Sequence, residues 1–119
     1  MNKKYKKTVL ITGCSKRIGR SMAIFLAKKG YNIVVHYNHS ESDASKLVNE
    51  LIGIGVEAKS FKIDLNKIKN IEGFYKKIIS KNKKIDVLIN NASVFEFDSL
   101  ITSNIDILER HLNVNFKAP

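Results

Sequence analysis

Residues 9–19 read Val-Leu-Ile-Thr-Gly-Cys-Ser-Lys-Arg-Ile-Gly. A short apolar run, a glycine-containing turn and the start of a helical pattern follow one another without a gap. From Ile18 onward Met22, Ala23, Phe25 and Leu26 recur on one side, with Arg20, Lys28 and Lys29 mostly elsewhere. A strand that turns tightly into a helix makes an anion cradle. The first helical amides lack partners inside the helix, and the macrodipole adds partial positive charge there. Gly13 lets the chain leave the strand sharply, and Gly19 lets helix and strand pack closely. Cys14 reads as a small filler of the turn, an oxidisable thiol being the other reading.

The same unit recurs along the chain. The pattern predicts strands over residues 8–12, 32–37, 57–63 and 85–90, each followed by a helix. Ile33, Val34 and Val35 form an unbroken apolar run, as suits a parallel strand covered on both faces. Residues 57–63 alternate partly, as nearer a sheet edge. Gly30 is placed to end the first helix, over residues 18–29. Ser40-Glu41-Ser42-Asp43 has a capping-box pattern, followed by the stripe Ala44, Leu47, Val48, Leu51 and Ile52, with Gly53 and Gly55 closing the helix. Asp64-Leu65-Asn66 is read as opening a third helix that carries Ile68, Ile71, Phe74, Tyr75, Ile78 and Ile79. Gly73 inside it weakens that helix by about 1 kcal/mol. Ser103-Asn104-Ile105-Asp106 starts a fourth helix, expected to run to the end of the chain. The alternation is that of an α/β fold with an open, doubly wound parallel sheet. Right-handed crossovers give the strand order 3-2-1-4, with strand four at an edge unless a later strand follows. Ligands then sit beyond the carboxyl ends of strands one and four.

Four stretches at the strand ends carry the chemistry. Thr12-Gly13-x-x-x-Arg17-Ile18-Gly19 resembles the Thr-Gly-x-x-x-Gly-x-Gly fingerprint of short-chain dehydrogenases/reductases. Arg17 replaces the middle glycine, as in the pteridine reductases of that superfamily. After strand two, no acid occurs between Gly30 and Ser40. An acid there would accept from the ribose 2′-hydroxyl of NAD and repel a 2′-phosphate. Lys16, His39 and Ser40 can donate to that phosphate, which favours NADPH over NADH; exposed loop histidines are the plainer alternative. His36-Tyr37-Asn38-His39-Ser40 is also similar to the His-Tyr-x-x-Ser segment of pteridine reductases, which implies contact with the NADPH adenosine. Asn90-Asn91-Ala92-Ser93 resembles the family's Asn-Asn-Ala-Gly, with the serine that pteridine reductases share.

The resemblance implies a set of site residues. Cofactor contacts fall on Gly13, Ser15, Lys16, Arg17, Ile18, Gly19, His36, Tyr37, Asn38, His39, Ser40, Asp64, Leu65, Asn91, Ala92 and Ser93. Asp64 would face the adenine amino group, a helix N-cap being a compatible role. Substrate contacts fall on Arg17, Ser93 and Phe95, the last offering a flat face on which a pterin could stack; a core phenylalanine is the alternative. Asn113-Val-Asn115-Phe-Lys-Ala-Pro119 resembles the family's Asn-x-x-x-Pro segment. It implies that Asn115, chosen by its spacing to Pro119, orients the catalytic lysine through a water. No metal is implied.

The resemblance spans essentially the whole chain and about the first half of a typical family member. The family's proton donor is a Tyr-x-x-x-Lys turn, and none of Tyr5, Tyr31, Tyr37 and Tyr75 heads one. The expectation is therefore the N-terminal part, residues 1–119, of a single NADPH-binding Rossmann-type domain, truncated after the fourth strand and part of the following helix. The catalytic half is absent, and the chain alone is expected to be inactive. The whole protein is expected to be an NADPH-dependent reductase of a pterin (dihydropteridine, dihydromonapterin or folate-like), acting as a homodimer or homotetramer. The alternatives are a 3-oxoacyl-carrier-protein-type reductase and a non-catalytic nucleotide-binding remnant.

Composition narrows the remaining classes. With 21 Lys plus Arg against 11 Asp plus Glu, the net charge is +10. That balance raises nucleic-acid binding, but the lysines are dispersed, and Lys76, Lys77 and residues 81–84 suit a solvated helix face and its exit. Abundant Lys, Asn and Ile give a compositional reading, so no nucleic-acid partner is expected. No apolar run reaches the 18 residues of a membrane span, and the run after the basic start is too short for a signal-peptide core. A single cysteine fits a reducing cytoplasm.

Overall fold

A computed structural model describes residues 5–82 and 84–119; part of the basic start and Lys83 of the lysine run lie outside the described residues. Four parallel strands form one sheet: β1 (Thr8–Ile11), β2 (Asn32–Tyr37), β3 (Ala58–Lys62) and β4 (Val87–Ile89). Their order is β3-β2-β1-β4, with Leu10 registered between Val34 and Leu88. The helices are α1 (Arg17–Lys28), α2 (Glu41–Ile54), α3 (Ile71–Asn82) and α4 (Ile105–Leu112). This is the doubly wound architecture that the alternation of patterns implies.

Side-chain parity along the strands explains the layering. Val9 and Ile11 of β1, with Ile33 and Val35 of β2, pack with Ala23, Ala27, Leu47 and Leu51 of α1 and α2. The intervening Leu10 and Val34 pack on the other face with Phe61, Ile78 and Phe74. Because both faces are covered, β1 is buried throughout. β3, an edge strand, is covered less completely: Ala58 is buried on one face and Phe61 on the other, while Lys59 and Lys62 are exposed. β4 forms the opposite edge, with Val87 and Leu88 exposed.

Four local expectations are corrected. Asp64 does not open a helix. Its carboxylate accepts from the Asn66 amide at 2.9 Å, closing a side-chain turn, and a 3-10 turn (Ile68–Asn70) precedes α3. The capping box of α2 does not close, since Ser40 makes no side-chain capping bond and the Asp43 carboxylate lies 3.4 Å from Lys16 Nζ. Gly53 lies within α2, and Gly55 alone caps it. α4 begins where expected, with Asn104 Oδ1 accepting from the Ile107 amide at 3.0 Å, but it widens into a π-type turn (Asn113–Lys117) before the end.

Leu47 is fully buried between α2 and the sheet. Leu47→Ala should therefore lower stability by about 2–5 kcal/mol, the transfer term plus the cavity left behind. Denaturant unfolding followed by circular dichroism measures it, and a loss below 1 kcal/mol would show that α2 is not anchored there.

Candidate cofactor site

Beyond the carboxyl ends of the strands lies a cleft of about 650 Å³. Its walls include all sixteen residues assigned to a cofactor from the sequence: Gly13, Ser15, Lys16, Arg17, Ile18 and Gly19 from the first turn; His36, Tyr37, Asn38, His39 and Ser40 after β2; Asp64 and Leu65 after β3; and Asn91, Ala92 and Ser93 after β4. The crossover topology that sets strand order also brings these four stretches to one end of the sheet.

The turn after β1 is held from both sides. Gly13 has φ +60°, a left-handed conformation that side chains disfavour, and a Cβ there would lie 2.9 Å from Ala92 Cα. Its amide donates to His36 Nδ1 at 2.8 Å, and its carbonyl accepts from Asn91 Nδ2 at 3.1 Å. The Thr12 hydroxyl oxygen accepts from the amides of Asn91 and Ala92, at 3.0 and 2.9 Å. A Cβ on Gly19 would come within 2.6 Å of Asn91 Nδ2 and 2.7 Å of Cys14 Cα, so α1 can approach the turn only with glycine at this position.

Two residues expected to meet the cofactor are thereby revealed as braces. His36 is only 2% exposed, and its second nitrogen, Nε2, donates to the Ile63 carbonyl at 3.0 Å. Its ring sits edge-on to Phe74. The neutral Nε2–H tautomer satisfies both contacts and leaves no nitrogen for phosphate. Asn91 gives its side-chain amide to the carbonyls of Thr12 and Gly13. Cys14 is fully buried and burial pushes its thiol up to about 12, which fits the filler reading.

The cations of the cleft differ in what holds them. Arg110 is paired with Glu96, and Lys16 with Asp43. Arg17 makes no ion pair among the described residues. It occupies a left-handed position, φ +54°, which costs a non-glycine residue about 1 kcal/mol. Its guanidinium therefore remains available as a planar fork of donors for an anion. The amides of Gly13 and Cys14 already donate to His36, so backbone donors for that anion begin at Ser15. His39 is exposed and contacts Asn38 at 3.2 Å, while the Ser40 hydroxyl is not used in capping α2.

Phe95 and Asn115 do not line the cleft. Phe95 is 84% exposed, on the outward side of a segment in which Val94 and Glu96 turn inward. The Asn115 side chain accepts from the Val94 amide at 2.8 Å and donates to the Val94 carbonyl at 2.9 Å. Both ends of the carboxamide are therefore committed to the main chain rather than free to orient a lysine. Asn66, Val94, Arg110 and Val114 also line the cleft and were not anticipated. Asn66 accepts from Asn113 Nδ2 at 3.0 Å, which ties the end of α4 to the cleft. The only local trace of this in the sequence is the four-residue spacing of Arg110 and Val114 on one helix side.

Comparison with known proteins places these features in context. The family model for short chain dehydrogenases matches residues 7–119. L-rhamnose 1-dehydrogenase (NAD(P)(+)) of Sphingomonas sp. is 34% identical over 109 residues, 92% of this chain and 43% of that protein. A 3-oxoacyl-[acyl-carrier-protein] reductase, FabG, of Staphylococcus epidermidis is 34% identical over 112 residues, 94% of this chain and 46% of that protein. The chain thus spans less than half the length of these relatives. Among solved structures, FolM alternative dihydrofolate reductase 1 from Brucella canis, complexed with NADP, superposes with a TM-score of 0.87 at 29% identity, over 95% of this chain and 46% of that one. A metagenomic blue fluorescent protein in complex with NADPH gives 0.89 at 30% identity, over 95% of this chain and 47% of that one.

The brace at His36 generates a pH prediction. Burial holds its imidazole below the usual 6.5, so the folded state resists protonation more than the unfolded chain does. Its contribution is complete above that value and is lost as pH falls through it towards the lower folded value. Thermal melts from about pH 7.5 down to about pH 5 should show this decline. His36→Phe should start lower, by about 1–3 kcal/mol for the two groups left unpaired, and should lack that component of the decline. An unchanged pH profile in the variant would refute the brace.

Proposed function

The chain belongs to the short chain dehydrogenase family, and we propose that it is the cofactor-binding portion of an NADPH-dependent reductase acting on a pterin or folate-like ring. The observation that carries the proposal is Arg17, without an ion pair among the described residues and held left-handed at the head of α1 in a cleft that also presents Ser40 and His39. Gly13 and Gly19 let the turn and the head of α1 close on Asn91 and Ala92, which sets the amides from Ser15 to Gly19 at the cleft for a pyrophosphate. The NADP and NADPH complexes of the similar structures support the same cofactor.

In this reading the amides from Ser15 to Gly19 and the Arg17 side chain hold the pyrophosphate. Lys16, His39 and Ser40 meet the 2′-phosphate, and Asp64 and Leu65 border the adenine. Bound NADPH supplies the hydride. Ser93 lines the nicotinamide end, and Phe95, which faces away from the cleft, takes no part in this reading. Arg17 reaches from the phosphates towards the polar edge of the substrate. The similarity to a FolM dihydrofolate reductase supports the pterin class. The relatives named 3-oxoacyl-[acyl-carrier-protein] reductase favour an acyl-thioester ketone as the second reading. A cytoplasmic location and a homo-oligomer of the whole protein belong to the same proposal.

Titration calorimetry tests the cofactor. NADPH should bind more tightly than NADH, since each charge-assisted bond to phosphate contributes about 1.5–3 kcal/mol. Equal affinities would overturn the choice of NADPH. For the substrate, the intact protein should oxidise NADPH with a dihydropterin and not with a 3-oxoacyl thioester; the reverse preference would establish the second reading.

Arg17→Gly separates the two roles of that residue. It relieves the left-handed strain but removes the donor fork. Dihydropterin turnover should fall by tenfold or more, on the order of 1.4 kcal/mol, while NADPH affinity changes less. A loss confined to cofactor affinity would show that Arg17 does not touch the substrate.

A further inference from the structure

Resting on the cofactor reading above, we infer that Asp43 sets how strongly this site discriminates between NADPH and NADH, by holding Lys16 in an exchangeable ion pair that a 2′-phosphate must displace. Lys16 is the residue before Arg17 and lines the cleft, and its ammonium lies 3.4 Å from the Asp43 carboxylate. Asp43 sits in the first turn of α2, three residues after Ser40. An acid in that turn ordinarily complements the helix N-terminus or closes a capping box. Here the box stays open, and the carboxylate lies against Lys16, a cation that lines the cleft.

The pair is built to exchange rather than to stabilise. Both side chains are well exposed, 58% and 41%, so water screens them, and such pairs contribute little by themselves. The alignment of α1 with α2 does not depend on it, because Arg20 and Glu50 join the same two helices farther along. The buried contacts of Ala23 and Ala27 with Leu47 and Leu51 hold them as well.

Two consequences act in the same direction. The carboxylate neutralises the cation that would otherwise meet the 2′-phosphate, and it places a negative charge beside a dianion. Neither effect reaches NADH, whose ribose 2′-hydroxyl is uncharged. The sequence places no acid at the end of β2, yet the fold supplies one from the next helix. Asp43 therefore acts as a counterweight on NADPH affinity without favouring NADH.

The test uses the intact protein, NADPH against NADH, and adenosine 2′,5′-bisphosphate against 5′-AMP, a pair differing only in the 2′-phosphate. Asp43→Asn should tighten NADPH and the bisphosphate by about two- to fivefold. NADH and 5′-AMP should be unchanged, which also reports that the variant is folded. Lys16→Ala should weaken NADPH, and in the Lys16→Ala background Asp43→Asn should lose most of its gain. If Asp43→Asn shifts all four ligands alike, or none, while NADPH still binds better than NADH, Asp43 has no such role and the cofactor reading stands. If the protein binds neither dinucleotide, the cofactor reading falls and this inference with it.

Discussion

Gly13 leaves β1 with a left-handed backbone, and side chains from two neighbouring strand ends hold it there. His36 of β2 takes its amide, and Asn91 after β4 takes its carbonyl. Thr12 returns the connection by accepting two amides from the β4 end. These bonds join three strand ends across a point where ladder hydrogen bonding has stopped. Polar groups at such a junction are costly if left unmade, so the network has to be complete to exist at all. Once it is, the head of α1 has one place to go, and the Gly19 approach to Asn91 and Cys14 follows. The same bonds withdraw two turn amides from any ligand. That gives the arginine at position 17 a reason to be present despite its backbone strain: a long side chain can supply donors that the backbone has already given away.

The fold was legible because strand parity and helical stripes are local properties. Unbroken Val-Ile runs marked the strands covered on both faces, and the broken alternation of β3 marked an edge. The cleft was legible because topology forces the strand ends together. Which residue there braces and which one binds depends on partners distant in sequence. His36 shares its face with Val34, which is buried, so parity did hint that it points into the core. Nothing local, however, told of the Gly13 amide 23 positions away. Asp43 reads as a cap until Lys16 comes near, and Asn115 reads as free until Val94 does. Asp64 illustrates a local competition instead, in which a side-chain turn to Asn66 displaces the helix start.

α4 shows a stripe that the pattern finds but the described residues do not cover. Ile105, Leu108 and Leu112 are exposed, whereas Ile107, Arg110, His111 and Val114 turn inward. The helix is held to the rest by polar contacts: Arg110 with Glu96, His111 with the Glu96 amide at 3.0 Å, and Asn113 with Asn66. Its apolar side is left facing outward together with Val87 and Leu88 of the β4 edge. Periodicity identifies that a face is apolar; it does not identify what lies against it.

These differences divide the cleft mechanically. Burial is densest at β1 and β2, where α1 and α2 cover one face and α3 the other, and it thins towards β4. Local opening draws on regions with few buried apolar contacts. The wall formed by residues 13–19 and 36–40, which would meet phosphates and adenosine, stands on the dense part. The wall carrying Ser93 and Val94 stands on an extended segment whose amides are pinned by Asn115 and His111 of the α4 region. Motion of α4 would therefore be transmitted to the wall at residues 93–96 through two side-chain bonds, while the wall at residues 13–19 stays fixed by the braces at His36 and Asn91.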